Sequence, residues 1–147
     1  MVMTRKEVFE ATGPTSGTFM RCKIGVDKEG YIKAAQMFMA YEAGAYPGSP
    51  VGNAAFPALG AYKIDHIQVD GYDVVVNKPK TQSYRAPGQP QANHAVETVM
   101  DEIAEKLGMD PMELRLKNVI HEGDMSPSGL PHSRFGCAEV MDAMKEH

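Results

Sequence analysis

Five histidines (His66, His94, His121, His132 and His147) and two cysteines (Cys22 and Cys137) are the side chains best suited to hold a metal. No two of the histidines stand at the spacing of a shared ion, and two isolated cysteines cannot build a zinc site. His94 and Glu97 are three apart, so they share a face of any helix there. Their order is the reverse of the Glu-x-x-His of di-iron bundles and no second copy exists, so the pair reads as surface or interface hydrogen bonding. Gly13-Pro14-Thr15-Ser16-Gly17 lacks the Gly-Lys-Ser/Thr of a phosphate loop and reads as a connecting turn. No Gly-x-Ser-x-Gly elbow or Ser/His/Asp set can be assembled. No catalytic residue and no metal ligand is assigned.

One segment has chemistry to offer. Ser83-Tyr84-Arg85-Ala86-Pro87-Gly88-Gln89-Pro90-Gln91 runs into the start of a long helix. Backbone N–H groups at a helix N-terminus lack partners, and the helix dipole favours an anion there. Arg85 adds a planar cation with five donors, suited to phosphate or carboxylate. The residues alone leave two readings open, an anion or cofactor edge and a plain structural turn.

The elements that position this loop are legible from periodicity. Thr4-Arg5-Lys6-Glu7 is a capping box that opens a short helix, ended by Gly13 and Pro14. Met20, Cys22, Ile24 and Val26 alternate with polar residues, Asp27-Lys28-Glu29-Gly30 is a turn, and residues 31–46 continue as a second strand. Residues 52–61 read as a modest helix. Residues 62–77 are β-rich, with Asp70-Gly71 either a tight turn or a bulge in one strand. Ala92, Ala95, Val96, Val99, Met100, Ile103 and Leu107 form one apolar helical stripe, with Pro90 in its first turn and Gly108 at its end. Asp110-Pro111-Met112-Glu113 opens the next helix with a second capping box, and 123–134 is a loop. A last amphipathic helix runs from Cys137 toward His147 and stops without a cap, as a truncated chain would. The expected architecture is one α+β two-layer domain over residues 1–147, with a small mixed or antiparallel sheet against helices. Its strands fall mainly at 18–46 and 64–77, and its helices mainly at 89–107, 111–118 and 137–146.

Composition narrows the function classes. Fifteen basic against 19 acidic residues give a net charge of −4 with no Lys/Arg cluster, which argues against a nucleic-acid partner. No apolar run reaches the 18 residues of a membrane span, and Arg5-Lys6-Glu7 stands where a signal peptide would be apolar. With two isolated thiols, the reading is a cytoplasmic protein with no membrane partner. The 43% hydrophobic content fits a folded domain.

A family resemblance joins these pieces. Tyr84-Arg85-Ala86-Pro87-Gly88-Gln89-Pro90-Gln91-Ala92, Glu97, Met100-Asp101-Glu102-Ile103-Ala104, Asp110-Pro111 and Arg115 through Asn118 come in the order seen in one family. So do Gly44-Ala45-Tyr46, Tyr62-Lys63-Ile64 and Asn77-Lys78-Pro79 upstream. The sequence resembles the molybdenum-binding subunit of the xanthine dehydrogenase/aldehyde oxidase (molybdenum hydroxylase) family along nearly its whole length. The resemblance implies a molybdenum-cofactor-binding-domain-like fold. It also implies that Tyr84, Arg85, Ala86, Pro87 and Gly88 lie beside molybdopterin, as such or as its cytosine dinucleotide. The implied activity is hydroxylation of an aldehyde, N-heterocycle or related compound with oxygen from water. The implied partners are the remainder of the molybdenum subunit, with iron–sulfur and often FAD-bearing subunits or domains.

Departures from the family are equally specific. Pro87 replaces an aromatic that many members stack on a flat substrate, so a purine-type sandwich has no support. Ala86 stands where the carbon monoxide dehydrogenases place a cysteine, so a copper-bearing site has none either. A substrate-gripping arginine of xanthine-type members falls loosely at Asn53, leaving Asn53 and Pro87 as the substrate-side positions. The family's Gly-Gly-x-Phe-Gly loop, Gln-Gly-x-Gly segment and glycine-flanked catalytic glutamate are absent. The expectation is a fragment that contributes one cofactor-side loop and scaffold, holds no cofactor by itself and is inactive alone. The alternative is a stand-alone, non-catalytic interaction module of the same descent.

Overall fold

The computed structural model describes residues 1–126 and 129–145. Helix α1 (Arg5–Ala11) opens on the expected box, with the Glu7 amide donating to Thr4 Oγ1 and the Thr4 amide donating to the Glu7 carboxylate. Strands β1 (Thr18–Val26) and β2 (Ile32–Gly44) form the antiparallel hairpin. Its turn closes where the Gly30 amide donates to the Asp27 carbonyl at 3.1 Å. After the break at Pro47, helix α2 is shorter than its composition suggests, Val51–Ala55.

Strand β3 (His66–Val75) pairs parallel with β2, so the sheet is mixed, in the order β1-β2-β3. Neither sequence alternative for Asp70-Gly71 forms: β3 continues through it, with Gly71 opposite Met39. The irregularity lies in β2 instead, between Glu42 and Gly44. Gly71 is small because α2 lies against it, and a Cβ there would come within 2.9 Å of Val51 Cγ2.

Helix α3 (Gln89–Leu107) covers the inner face of the sheet. Its stripe of Ala92, Val96, Met100 and Ile103 packs with Met37, Met39 and Tyr41, the inward residues of β2. Gly108, left-handed, ends α3 by donating back to Glu105 while Met109 donates to Ala104. Helix α4 (Pro111–Asn118) starts at Asp110, whose carboxylate accepts from Met112 and Glu113 at 2.9 Å each. The return bond from the Glu113 side chain that would complete a box is not made, so Asp110 caps by itself.

Asn118 is 3% exposed and joins the helical layer to the hairpin. Its Oδ1 accepts from Ile32 at 2.9 Å, and its Nδ2 donates to the carbonyls of Gly30 (2.8 Å) and Leu114 (2.9 Å). Helix α5 spans Cys137–Met144 and buries no residue. The expected helix reached 146, which with His147 lies outside the described residues, as do 127 and 128 of the 123–134 loop.

Candidate functional site

The 84–88 loop leaves the end of a strap tied to the C-terminal end of β2. Thr81 donates to the Ala43 carbonyl from its amide (3.0 Å) and its hydroxyl (3.2 Å), and Gln82 donates to Pro14. Inside the loop, two tyrosine hydroxyls hold one glycine by both of its peptide groups. Tyr41 donates to the Gly88 carbonyl at 2.6 Å, and the Gly88 amide donates to Tyr84 Oη at 2.8 Å. Tyr84 then donates to Gln91 Oε1 at 2.6 Å, and Gln91 Nε2 reaches Thr15 Oγ1 at 3.3 Å. Burial, reinforced by the neighbouring Tyr84 hydroxyl, pushes the Tyr41 phenol up to about 12.

Gly88 has φ 84°, and a Cβ there would lie 2.8 Å from the Pro50 carbonyl oxygen and 3.0 Å from Ala54 Cβ. Only glycine fits both the left-handed backbone and the approach of α2. Ala86 is also left-handed, with φ 55°, the one non-glycine residue with positive φ among those described. A single alanine in that region costs about 1–2 kcal/mol, so the loop is held open against a local preference.

The amides of Arg85 and Ala86 make no hydrogen bond among the described residues, and Gly88, the residue before α3, makes no side-chain cap. Arg85 is exposed and makes neither an ion pair nor a hydrogen bond among the described residues. Pro87 is half-buried. The structure thus gathers, in one turn, the unpartnered amides of Arg85 and Ala86 and an exposed guanidinium beside two hydrogen-bonded tyrosines, just ahead of α3. That set can receive an anion or a cluster of acceptor oxygens.

Asn53 is exposed on α2, the helix that meets Gly88 through Pro50 and Ala54. It lines a cleft of about 210 Å³ with Ser49, Pro50, Lys80 and Ser83. Lys80 is already committed to the Gly48 carbonyl at 2.7 Å. The Ser49 hydroxyl beside Asp73, then the Gly48 amide donating at 2.7 Å and the Ser49 amide at 2.8 Å, hold its carboxyl below its ordinary value.

Glu97 belongs to a structural cluster. It accepts from Tyr62 Oη at 2.7 and 2.9 Å and from Arg115 Nε at 2.7 Å, and Arg115 Nη2 also reaches Asp101 at 2.8 Å. Burial, then the bond to Glu97, raises the Tyr62 phenol far above its ordinary value. His94 takes no part, and among the described residues no three His, Cys, Asp or Glu could share a metal. Asp101, on the same helix, stays mostly exposed while it pairs with Arg115.

Tyr41 and Thr15 were not singled out by sequence. The available signal was the position of Tyr41 among inward β2 residues: a buried phenol needs a partner.

Fold and loop together define a class, a small α+β domain that presents unpartnered backbone donors in the loop leading into its long helix α3. The family model for the molybdopterin cofactor-binding domain matches residues 1–119, and the chain belongs to that family. The large molybdopterin subunit of nicotinate dehydrogenase from Eubacterium barkeri is 29% identical over 99% of this chain and 35% of its own length. The aldehyde oxidoreductase of Megalodesulfovibrio gigas is 34% identical over 91% of this chain and 15% of its own. The solved aldehyde oxidoreductase from Desulfovibrio gigas superposes with a TM-score of 0.85 at 30% identity, covering 96% of this chain and 16% of that one. The chain thus spans about a third or less of the length of these relatives. Among the described residues no helix is long and apolar enough to cross a membrane.

A molybdopterin is anionic and rich in acceptor atoms. The amides of Arg85 and Ala86, without a partner among the described residues, fit one wall of a site for such a group.

Proposed function

We propose that this chain is part of the molybdenum-binding catalytic subunit of an oxidoreductase that hydroxylates an aldehyde, an N-heterocycle or a related compound with water. Residues 1–147 form one partial cofactor-binding domain of that subunit, working in the cytoplasm beside iron–sulfur and FAD-bearing partners. The observation that carries the reading is the 84–88 loop, with free amides at Arg85 and Ala86, inside a chain whose residues 1–119 match the family.

When bound, the cofactor supplies the metal that receives the substrate's electrons. The chain's own residues do the positioning. The Arg85 and Ala86 amides donate to acceptor atoms of the pterin side, and the guanidinium of Arg85 offsets negative charge. Tyr41 and Tyr84 fix Gly88, so the donors are set before the ligand arrives; preorganisation of this kind lowers the cost of binding. Pro87 and Asn53 face the substrate side. A proline cannot stack as an aromatic would, which favours small or non-purine substrates.

One loop cannot enclose a buried cofactor, so the chain by itself neither retains molybdenum nor turns over substrate. Two measurements test this. Reading the gene on both sides should show a Gly-Gly-x-Phe-Gly loop upstream and a glycine-flanked glutamate downstream. Metal analysis should find molybdenum in the extended protein and none in the 147-residue chain. Stoichiometric molybdenum in the short chain refutes its dependence on the remainder. Start and stop codons bracketing the 147 residues refute the catalytic reading.

A further inference from the structure

The helices α2 and α3 cover one face of the sheet, and the residues of the other face run across the strands in rows. Gly25, Ala34 and His66 form the first row, and Lys23, Gln36 and Gln68 the second. Arg21, Phe38 and Asp70 form the third, and Phe19, Ala40 and Tyr72 the fourth. A sheet with one wet face alternates apolar-in and polar-out. The second row obeys that rule, and the aromatic end breaks it.

There Phe19 meets Phe38 edge-on at 6.2 Å between ring centroids, and Phe38 meets Tyr72 at 5.2 Å. Phe19 is 57% and Tyr72 54% exposed, and Val74, two residues on from Tyr72, is exposed on the same face. Arg21 and the Glu42–Lys78 ion pair border the patch. A joined apolar surface with a polar rim is the anatomy of an interface.

We infer that the Phe19–Phe38–Tyr72 surface is where the rest of the molybdenum subunit's own polypeptide packs against this domain. The inference rests on the reading above, that the chain works within a longer subunit. The occupant follows from chain length. The matching segment is 35% of one relative and 15% of another, each a single longer polypeptide. The surface adjoining this domain in such a protein is therefore supplied first by the same chain. Permanent contacts also favour apolar surface more than transient ones do.

Hydroxyl-radical footprinting, read by mass spectrometry, compares the 147-residue chain with the intact subunit. Labelling of Phe19 and Tyr72 should fall about fivefold in the intact subunit, the factor between a half-exposed ring and one in a packed interface. Equal labelling in the two samples overturns the inference. So does protection that grows with concentration in the short chain, which would place a second copy on the patch. Molybdenum content of the same intact sample tests the cofactor reading separately: metal present with both rings fully labelled sinks only the packing surface. Metal absent with both rings protected sinks only the cofactor role.

Discussion

Replacing Gly88 by alanine tests the loop at its tightest point. The new methyl would stand 2.8 Å from the Pro50 carbonyl oxygen, 3.0 Å from Ala54 Cβ and 3.3 Å from Tyr41 Cε1. Two of those neighbours are backbone or a short side chain on α2, and the third is a ring held by its own hydrogen bond, so none yields cheaply. An alanine at φ 84° adds about 1–2 kcal/mol of backbone cost, and overpacking of this kind about 1–3 kcal/mol. Lower entropy of the unfolded chain returns about 0.4–1 kcal/mol. The net expectation is a loss of about 1–5 kcal/mol, or a fall in Tm of roughly 2–18 °C for a chain this size. Urea unfolding gives the value, with an unchanged m-value showing that the denatured state is not the cause. Ala86→Gly in the same loop is the control of opposite sense: it relieves the φ 55° strain and should leave stability within about 1 kcal/mol of the parent. If Gly88→Ala unfolds with the parent's midpoint, the close approach of α2 and the loop is refuted.

Tyr84→Phe removes the acceptor of the Gly88 amide and the donor to Gln91, and should cost about 1–2 kcal/mol and speed amide exchange at Gly88; unchanged exchange there contradicts the clamp. Asn118→Ala strands the Ile32 amide and the Gly30 carbonyl in the interior, for a loss of about 2–5 kcal/mol in the same urea assay. The Tyr41 phenol, raised to about 12 against an ordinary value near 10, keeps its proton better in the folded state. Its contribution to stability is therefore complete below pH about 10 and lost as the pH rises through about 12. Unfolding free energies across that range should fall less steeply in Tyr41→Phe than in the parent; identical slopes exclude Tyr41 as a contributor.

Local signals were sufficient for the first capping box and the hairpin, and at Asp110 for the cap without its return bond. Thr4 with Glu7, the alternation from Met20 to Val26 and the stripe from Ala92 to Leu107 each follow from interactions within a few residues, so the pattern carries the element. Segment 84–91 was also visible as a candidate, because a helix N-terminus is a local feature. The family resemblance came from the same residues.

What sequence could not decide were the contacts between distant segments. The parallel pairing of β3 with β2 depends on a crossover through α2, and the continuity of β3 through Asp70-Gly71 depends on α2 packing over that glycine. A dipeptide that would suit a turn is overruled by its neighbours. The hold on Gly88 comes from Tyr41, 47 residues upstream, and the hairpin is fastened by Asn118, 86 residues beyond Ile32. Glu97 found its partners in Tyr62 and Arg115 in the same way. Such bonds form where burial leaves a polar group no water to pair with, and burial is a property of the packed chain. The sequence by itself therefore determined the elements and the loop; the tertiary structure decided which side chains hold that loop in a conformation its own residues disfavour.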